Sequence, residues 1–270
     1  MSDPDPLPID AKRRSPVPSS AHRRLIGGRH ELGQNFLADR CIADRIARLV
    51  PSEPPVPVLE LGAGDGALTR RLTARGHAVT AVELDPGRVA VLRGALGARV
   101  RVVRADMLRF RLDVAHHVVS NAPFGITTPL LRHLLAQRAW RSAVLLLQWE
   151  VARKRAAVGG TTLLTASWWP WYEFTLAGRI PAAAFRPRPC VDGGLLIMQR
   201  RQRALVAASE RASYQRLVRT AFGGDCLLPA LREVPGVRRW AVAQGLGTAT
   251  RPRNLTAVQW ASLHRLNRRR

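Results

Sequence analysis

The sequence predicts an α/β fold: a mostly parallel sheet with helices on its faces, followed by a small helical module. Three observations carry this. Five short apolar runs recur between residues 56 and 147, with helical spacing in the intervals. Strands buried on both faces read as continuous apolar runs, and helical connections between them make the strands parallel. A glycine cluster follows the first run directly, and the composition changes after residue 200.

The elements are expected in this order. Residues 38–50 form a helix, with Ile42, Ile46 and Leu49 on one face and Pro51 ending it. Strands are expected at 56–61, 77–84, 100–103, 117–120 and 143–147, and helices at 67–74, 86–96 and 127–139. Residues 171–180 and 194–199 look like two later strands, paired antiparallel at one edge. Beyond residue 200 the spacing of Tyr214, Leu217, Val218 and Phe222 is helical. Residues 1–28, rich in Pro, Ser, Arg and Gly, read as a mobile basic tail. The expected division is therefore 1–28 tail, 29–200 α/β domain and 201–270 helical domain. The aromatic cluster Trp168-Trp169-Pro170-Trp171-Tyr172 is expected to pack in the core or at the seam between the last two.

Charge narrows the partner. There are 43 Lys+Arg against 19 Asp+Glu, a formal net charge of +24. Lys12 and Lys154 are the only lysines, so nearly all of the positive charge is arginine. Such an excess points to a polyanion, and first to nucleic acid. A membrane surface is the rival. The N-terminus, Met1-Ser2-Asp3-Pro4-Asp5-Pro6, has no apolar segment, and the run Ala143–Leu147 is far too short to span a bilayer. Cys41, Cys190 and Cys226 have neither metal-ligand spacing nor a disulfide framework, which suits a reducing, cytoplasmic compartment and no metal site.

Four motifs carry chemistry. The first is Glu60-Leu61-Gly62-Ala63-Gly64-Asp65-Gly66, between the first strand and its helix, where open α/β sheets bind ligands. Gly62 and Gly64 let the backbone approach a ligand that side chains would block. The spacing differs from the dinucleotide G-x-G-x-x-G and matches the E-x-G-x-G-x-G loop of S-adenosylmethionine enzymes. The second is Glu83, an acid about 20 residues on, placed to accept hydrogen bonds from ribose hydroxyls. Its neighbour Asp85 suits a helix cap, because Pro86 follows at the first helical position. The third is Asp106, suited to an adenine amine, with Met107 as an apolar contact for the ring.

The fourth motif is Asn121-Ala122-Pro123-Phe124, after the fourth strand. An exocyclic adenine amine delocalises its lone pair into the ring and is a poor nucleophile. Acceptors that hold both of its hydrogens favour a pyramidal nitrogen. The Asn121 side-chain oxygen and a backbone carbonyl, that of Ala122, can supply them. Pro123 fixes the backbone that aims this carbonyl, and Phe124 offers a face for the base. A base inside a helix is out of reach, so the target must be flipped or unpaired. Phe185, in the stiff basic segment Ala184-Phe185-Arg186-Pro187, is the candidate for closing the pocket from the other side; a core-capping role is the alternative.

These residues resemble the ribosomal RNA adenine-N6 methyltransferases. The segment His30-Glu31-Leu32-Gly33-Gln34-Asn35-Phe36-Leu37 is similar to the family's N-terminal G/S-Q-N-F-L motif, and the four motifs and Phe185 follow in the family's order. The Erm class, which methylates one adenine of 23S ribosomal RNA and confers macrolide, lincosamide and streptogramin B resistance, matches best. The resemblance implies a Rossmann-like class I methyltransferase sheet and S-adenosyl-L-methionine as cofactor. It implies cofactor contacts from Asn35 and Leu37 at the N-terminal flank, Gly62 at the methionine side, Glu83 at the ribose, Asp106 at the adenine, and Asn121. It further implies that residues 29–200 bind the cofactor and carry catalysis, that the helices of 201–270 help grip RNA, and that a monomer acts on protein-free or immature 23S ribosomal RNA. The family tetrad is Asn-Ile/Leu-Pro-Tyr/Phe. Here Ala122 is smaller and Phe124 lacks a hydroxyl, which preserves stacking but bears on pocket volume, so one methyl and two both stay open. The rival readings are the dimethyltransferase of 16S ribosomal RNA and a non-catalytic nucleic-acid binder on the same scaffold.

Overall fold

The structure, a computed structural model, describes residues 35–53, 55–97 and 100–268. The basic tail and the segment His30–Gln34 lie outside the described residues.

The described residues form one compact unit. It runs β1 (Phe36–Leu37), α1 (Arg40–Arg48), β2 (Val58–Leu61), α2 (Ala67–Ala74), β3 (Val79–Glu83), α3 (Pro86–Ala95), β4 (Val100–Arg104) and β5 (His116–Ser120). Then come α4 (Thr127–Ala136), β6 (Trp140–Gln148), α5 (Trp149–Arg155), α6 (Leu163–Trp168), β7 (Tyr172–Ile180), β8 (Phe185–Arg186) and β9 (Gly193–Arg200). Four helices close the chain: α7 (Arg211–Phe222), α8 (Leu227–Ala230), α9 (Val237–Ala243) and α10 (Ala257–Arg268).

Seven strands form one sheet in the order β4-β3-β2-β5-β6-β9-β7. The five from β4 to β6 are parallel. Every residue of β2, β3 and β5 is buried, which explains their largely apolar make-up, with polar residues chiefly at the strand ends. The expected antiparallel pair is β7 and β9, with the later strand on the inside, against β6. The helices begin where local chemistry lets them. Asp39 accepts the Ile42 N–H at 3.1 Å to cap α1, and Asp85 accepts that of Arg88 at 2.9 Å to cap α3, with Pro86 next to it.

Most boundaries fall within two residues of expectation, and two differ by three. Strand β6 starts three residues before the apolar run, at Trp140, which is fully buried and donates its indole N–H to the Leu134 carbonyl at 2.7 Å. Arg141 and Ser142 hide this start in the sequence. Helix α4 stops at Ala136, because Gln137 adopts an extended backbone.

The terminal helices share one apolar core with the sheet. The aromatic cluster is the seam: Tyr172 stacks on Trp140 at 4.8 Å, and Trp171 meets Tyr214 of α7 edge-on at 5.4 Å. The Tyr214 hydroxyl donates to the Ala166 carbonyl at 2.7 Å, so its burial leaves no unpaired polar atom.

Candidate active site

Parallel pairing puts the ends of the central strands side by side. Leu61 is level with Val82 on one side and Ser120 on the other, and Glu83 is level with Arg104. The glycine turn after β2, Glu83, Asp106 and Asn121 therefore share one edge of the sheet, the edge where α/β folds bind ligands.

The turn is a backbone cradle. Gly62 (φ +78°) and Gly64 (φ +55°) adopt left-handed conformations that disfavour any side chain. A Cβ on Gly62 would stand 2.6 Å from the Met107 methyl, and one on Gly64 would stand 3.2 Å from the Phe36 ring. Met107 and Phe36 thus flank the bare main chain, and the turn is shaped for a ligand rather than for its own side chains.

Two buried carboxylates hold this cradle. Glu83 accepts the Gly64 N–H on Oε2 at 2.8 Å, and those of Leu84 and Asp85 on Oε1 at 2.8 and 3.0 Å. Oε1 is saturated, and Oε2 retains capacity for one more donor, such as a ribose hydroxyl. Glu60 accepts the Thr69 hydroxyl at 2.5 Å, tying β2 to α2. Burial raises its pKa to about 8, against the pull of Thr69, so it is mostly protonated at neutral pH. Neither Thr69 nor Arg88 was expected to matter. Arg88 lies 4.0 Å over the Phe36 ring and pairs with Asp65 of the turn. The signal for Arg88 is only its place in the first turn of α3, facing Asp65 across 23 residues, which spacing does not reveal.

Asp106 accepts the Leu108 N–H on Oδ1 at 2.8 Å, and its other oxygen lies 3.7 Å from the Arg109 guanidinium. It is part-exposed two residues past β4, as an adenine contact requires.

Asn121 donates its side-chain N–H to the Asn35 carbonyl at 3.0 Å. That bond ties the N-terminal flank to the tetrad and turns the amide oxygen to the accepting side. Ser120 holds the strand end by donating to the Leu61 carbonyl at 2.7 Å. Ala122 is 2% exposed and its methyl lies in the apolar core. The smaller side chain therefore bears first on the packing of this core. Phe124 is part-exposed and opens the short helical turn 124–126.

Phe185 takes the second of its two expected places, in the core. It is 0% exposed and stands edge-on to Phe124, with ring centroids 6.2 Å apart. A fully buried ring cannot offer a face to a base; Phe185 supports Phe124 instead. Leu37 is likewise buried, in the same core cluster as Ala63 and Phe185, so its side chain serves packing. The pairing of β1 with β8, Leu37 opposite Phe185, explains both.

Among the described residues no group of three or more His, Cys, Asp or Glu is placed to hold a metal ion, and no helix is long and apolar enough to cross a membrane.

A Rossmann-like sheet with a glycine cradle after its first central strand, an acid after the second and an Asn-Ala-Pro-Phe turn after the fourth defines a class I methyltransferase. Residues 27–226 match the family model described as ribosomal RNA adenine dimethylase, and the chain belongs to that family. It is 53% identical over 262 residues to the mycinamicin-resistance protein MyrB of Micromonospora griseorubida, across 95% of this chain and 84% of that one. It is 46% identical over 197 residues to an rRNA adenine N-6-methyltransferase of Corynebacterium diphtheriae, across 72% of this chain and 78% of the relative. The crystal structure of the 23S rRNA methyltransferase ErmE superposes with a TM-score of 0.78 at 30% identity, covering 86% of this chain and 99% of that one.

Proposed function

We propose that this protein transfers a methyl group from S-adenosyl-L-methionine to the N6 amine of one adenine in 23S ribosomal RNA, in the cytoplasm, and so confers resistance to macrolide-type antibiotics. The observation that carries the reading is the Asn121–Asn35 bond at the end of β5, on the same edge as the glycine cradle. Likeness to a mycinamicin-resistance protein and to a 23S methyltransferase favours the large-subunit RNA.

The cradle fits the cofactor: bare main chain at Gly62 and Gly64 for the methionine part, Glu83 Oε2 for the ribose, and Asp106 with Met107 for the adenine. When bound, S-adenosyl-L-methionine supplies an electrophilic methyl on a sulfonium. The Asn121 amide oxygen and the Ala122 carbonyl accept the two N6 hydrogens and draw the nitrogen towards a pyramidal geometry. Phe124, braced edge-on by Phe185, stacks the flipped base. No charged base is required, because the amine becomes acidic once methylated and its proton can leave to water.

The test incubates the protein with labelled S-adenosyl-L-methionine and protein-free 23S or 16S RNA, maps reverse-transcription stops and digests the RNA to nucleosides. Label at one adenine of 23S RNA is expected. Label confined to 16S RNA overturns the reading, and the nucleosides report one methyl or two.

A further inference from the structure

A second cleft opens on the catalytic edge of the sheet, one strand over from the tetrad. Ser120 of β5 is level with Leu145 of β6, so Asn121 and Gln148 both leave the sheet at its carboxyl end. Around Gln148 lies a cleft of about 360 Å³, walled by Trp149, Glu150, Arg179, Cys190 and Asp192. This volume lies in the range of ligand clefts.

Its wall is an aromatic ring flanked by guanidinium groups. The Arg179 guanidinium lies 5.4 Å from the Trp149 ring centroid and that of Arg153 lies 6.0 Å away. The base of the side chain is anchored: the Trp149 main-chain N–H donates to the Asp192 carbonyl at 2.9 Å, and Gly194 lies so close that a Cβ there would stand 3.1 Å from the indole. The charges are balanced: Arg179 pairs with Asp192 at 2.6 Å and Arg153 with Glu150 at 3.2 Å. A cleft whose cations are already paired is poorly built for a phosphate, whereas an indole, a planar guanidinium and a carboxamide suit a base, by stacking and edge hydrogen bonds.

We propose that the Trp149–Arg179 wall of this cleft holds an unpaired base flanking the target adenine on the same RNA strand, with Gln148 reading its edge. This rests on the methyltransferase reading above. It assigns the cleft a binding role: gripping a neighbour helps hold the RNA strand on the protein in the ground and transition states alike.

The test uses the full-length protein and a short RNA hairpin containing the mapped adenine. The nucleotides beside that adenine are replaced in turn by abasic residues. Trp149→Leu is expected to raise the RNA KM about tenfold, the scale of one lost base–aromatic stack, with kcat and S-adenosyl-L-methionine affinity unchanged. Trp149→Tyr restores most of the loss. At one flanking position the abasic RNA binds wild type about tenfold more weakly, and binds Trp149→Leu no more weakly than intact RNA does. Because Trp149 is partly buried, Cys190→Glu, at an exposed position in the cleft, gives an independent variant and should show the same insensitivity to the abasic site. Wild-type RNA affinity in Trp149→Leu, or an abasic loss of equal size in wild type and both variants, overturns the proposal. Absence of any transfer by the wild type overturns the methyltransferase reading, and this proposal with it.

Discussion

The Asn121 side chain donates to the main-chain carbonyl of Asn35, 86 residues earlier, at 3.0 Å. The bond fixes which end of the amide faces Asn35. Asn121→Ala should cut methyl transfer by roughly 10²–10³-fold, the scale for removing one preorganised hydrogen-bonding group, and leave cofactor affinity near wild type in a calorimetric titration. Turnover like that of the wild type would refute the role given to Asn121.

The cradle makes a prediction that separates strain from space. In Gly62→Ala the Met107 methyl can swing away, but the left-handed backbone cannot relax without moving the turn. The strain is about 1–2 kcal/mol. Gly62→Ala should therefore melt a few degrees lower and bind S-adenosyl-L-methionine more weakly, and adding Met107→Ala should not restore stability. Full restoration by the double change would show that crowding, and not backbone conformation, sets the need for glycine.

Because the Ala122 methyl is in the core, enlarging it acts on packing. Ala122→Leu should cost about 1–3 kcal/mol of stability, as overpacking does, and leave the ratio of mono- to dimethylated product unchanged. A shifted product ratio, read by nucleoside analysis, would place this side chain in the substrate pocket instead.

At the opposite end of β5, burial lowers the pKa of His117 from 6.5 to about 4, with His77, Arg141 and His116 adding repulsion. The folded state keeps His117 neutral while the unfolded chain protonates it below about 6.5. Its contribution to stability is complete above that pH and is lost as the pH falls from 6.5 through 4. The melting temperature should drop through this window, and His117→Gln should flatten the drop. An unchanged slope in that variant would assign the acid sensitivity to other groups.

With a net charge of +24, RNA binding should weaken steeply with salt, since each phosphate contact releases counterions. Log affinity from filter binding should fall linearly with log salt concentration. A flat dependence would contradict a phosphate-dominated interface.

Much of this protein was legible in the chain because local rules wrote it there. Short, mostly apolar runs marked the buried strands, Asp85 before Pro86 marked the start of α3, and the glycines marked a turn that side chains disfavour. The motif residues Gly62, Glu83, Asp106 and Asn121 converge because each follows a parallel strand, and parallel strands end on one edge. What stayed hidden were directions and long-range partners. Nothing local says that Phe185 lies beneath Phe124 rather than across from it, that Ala122 turns inward, or that Arg88 covers Phe36. Those are settled by β1 pairing with β8 and by the packing of each strand end, interactions between segments as much as 150 residues apart, as with Phe36 and Arg186. The sequence by itself determined the fold class, the cofactor cradle and the tetrad, since these depend on backbone geometry and residue type. Only the tertiary structure decided which of these side chains are exposed and which are buried beneath them, because that depends on what each one packs against.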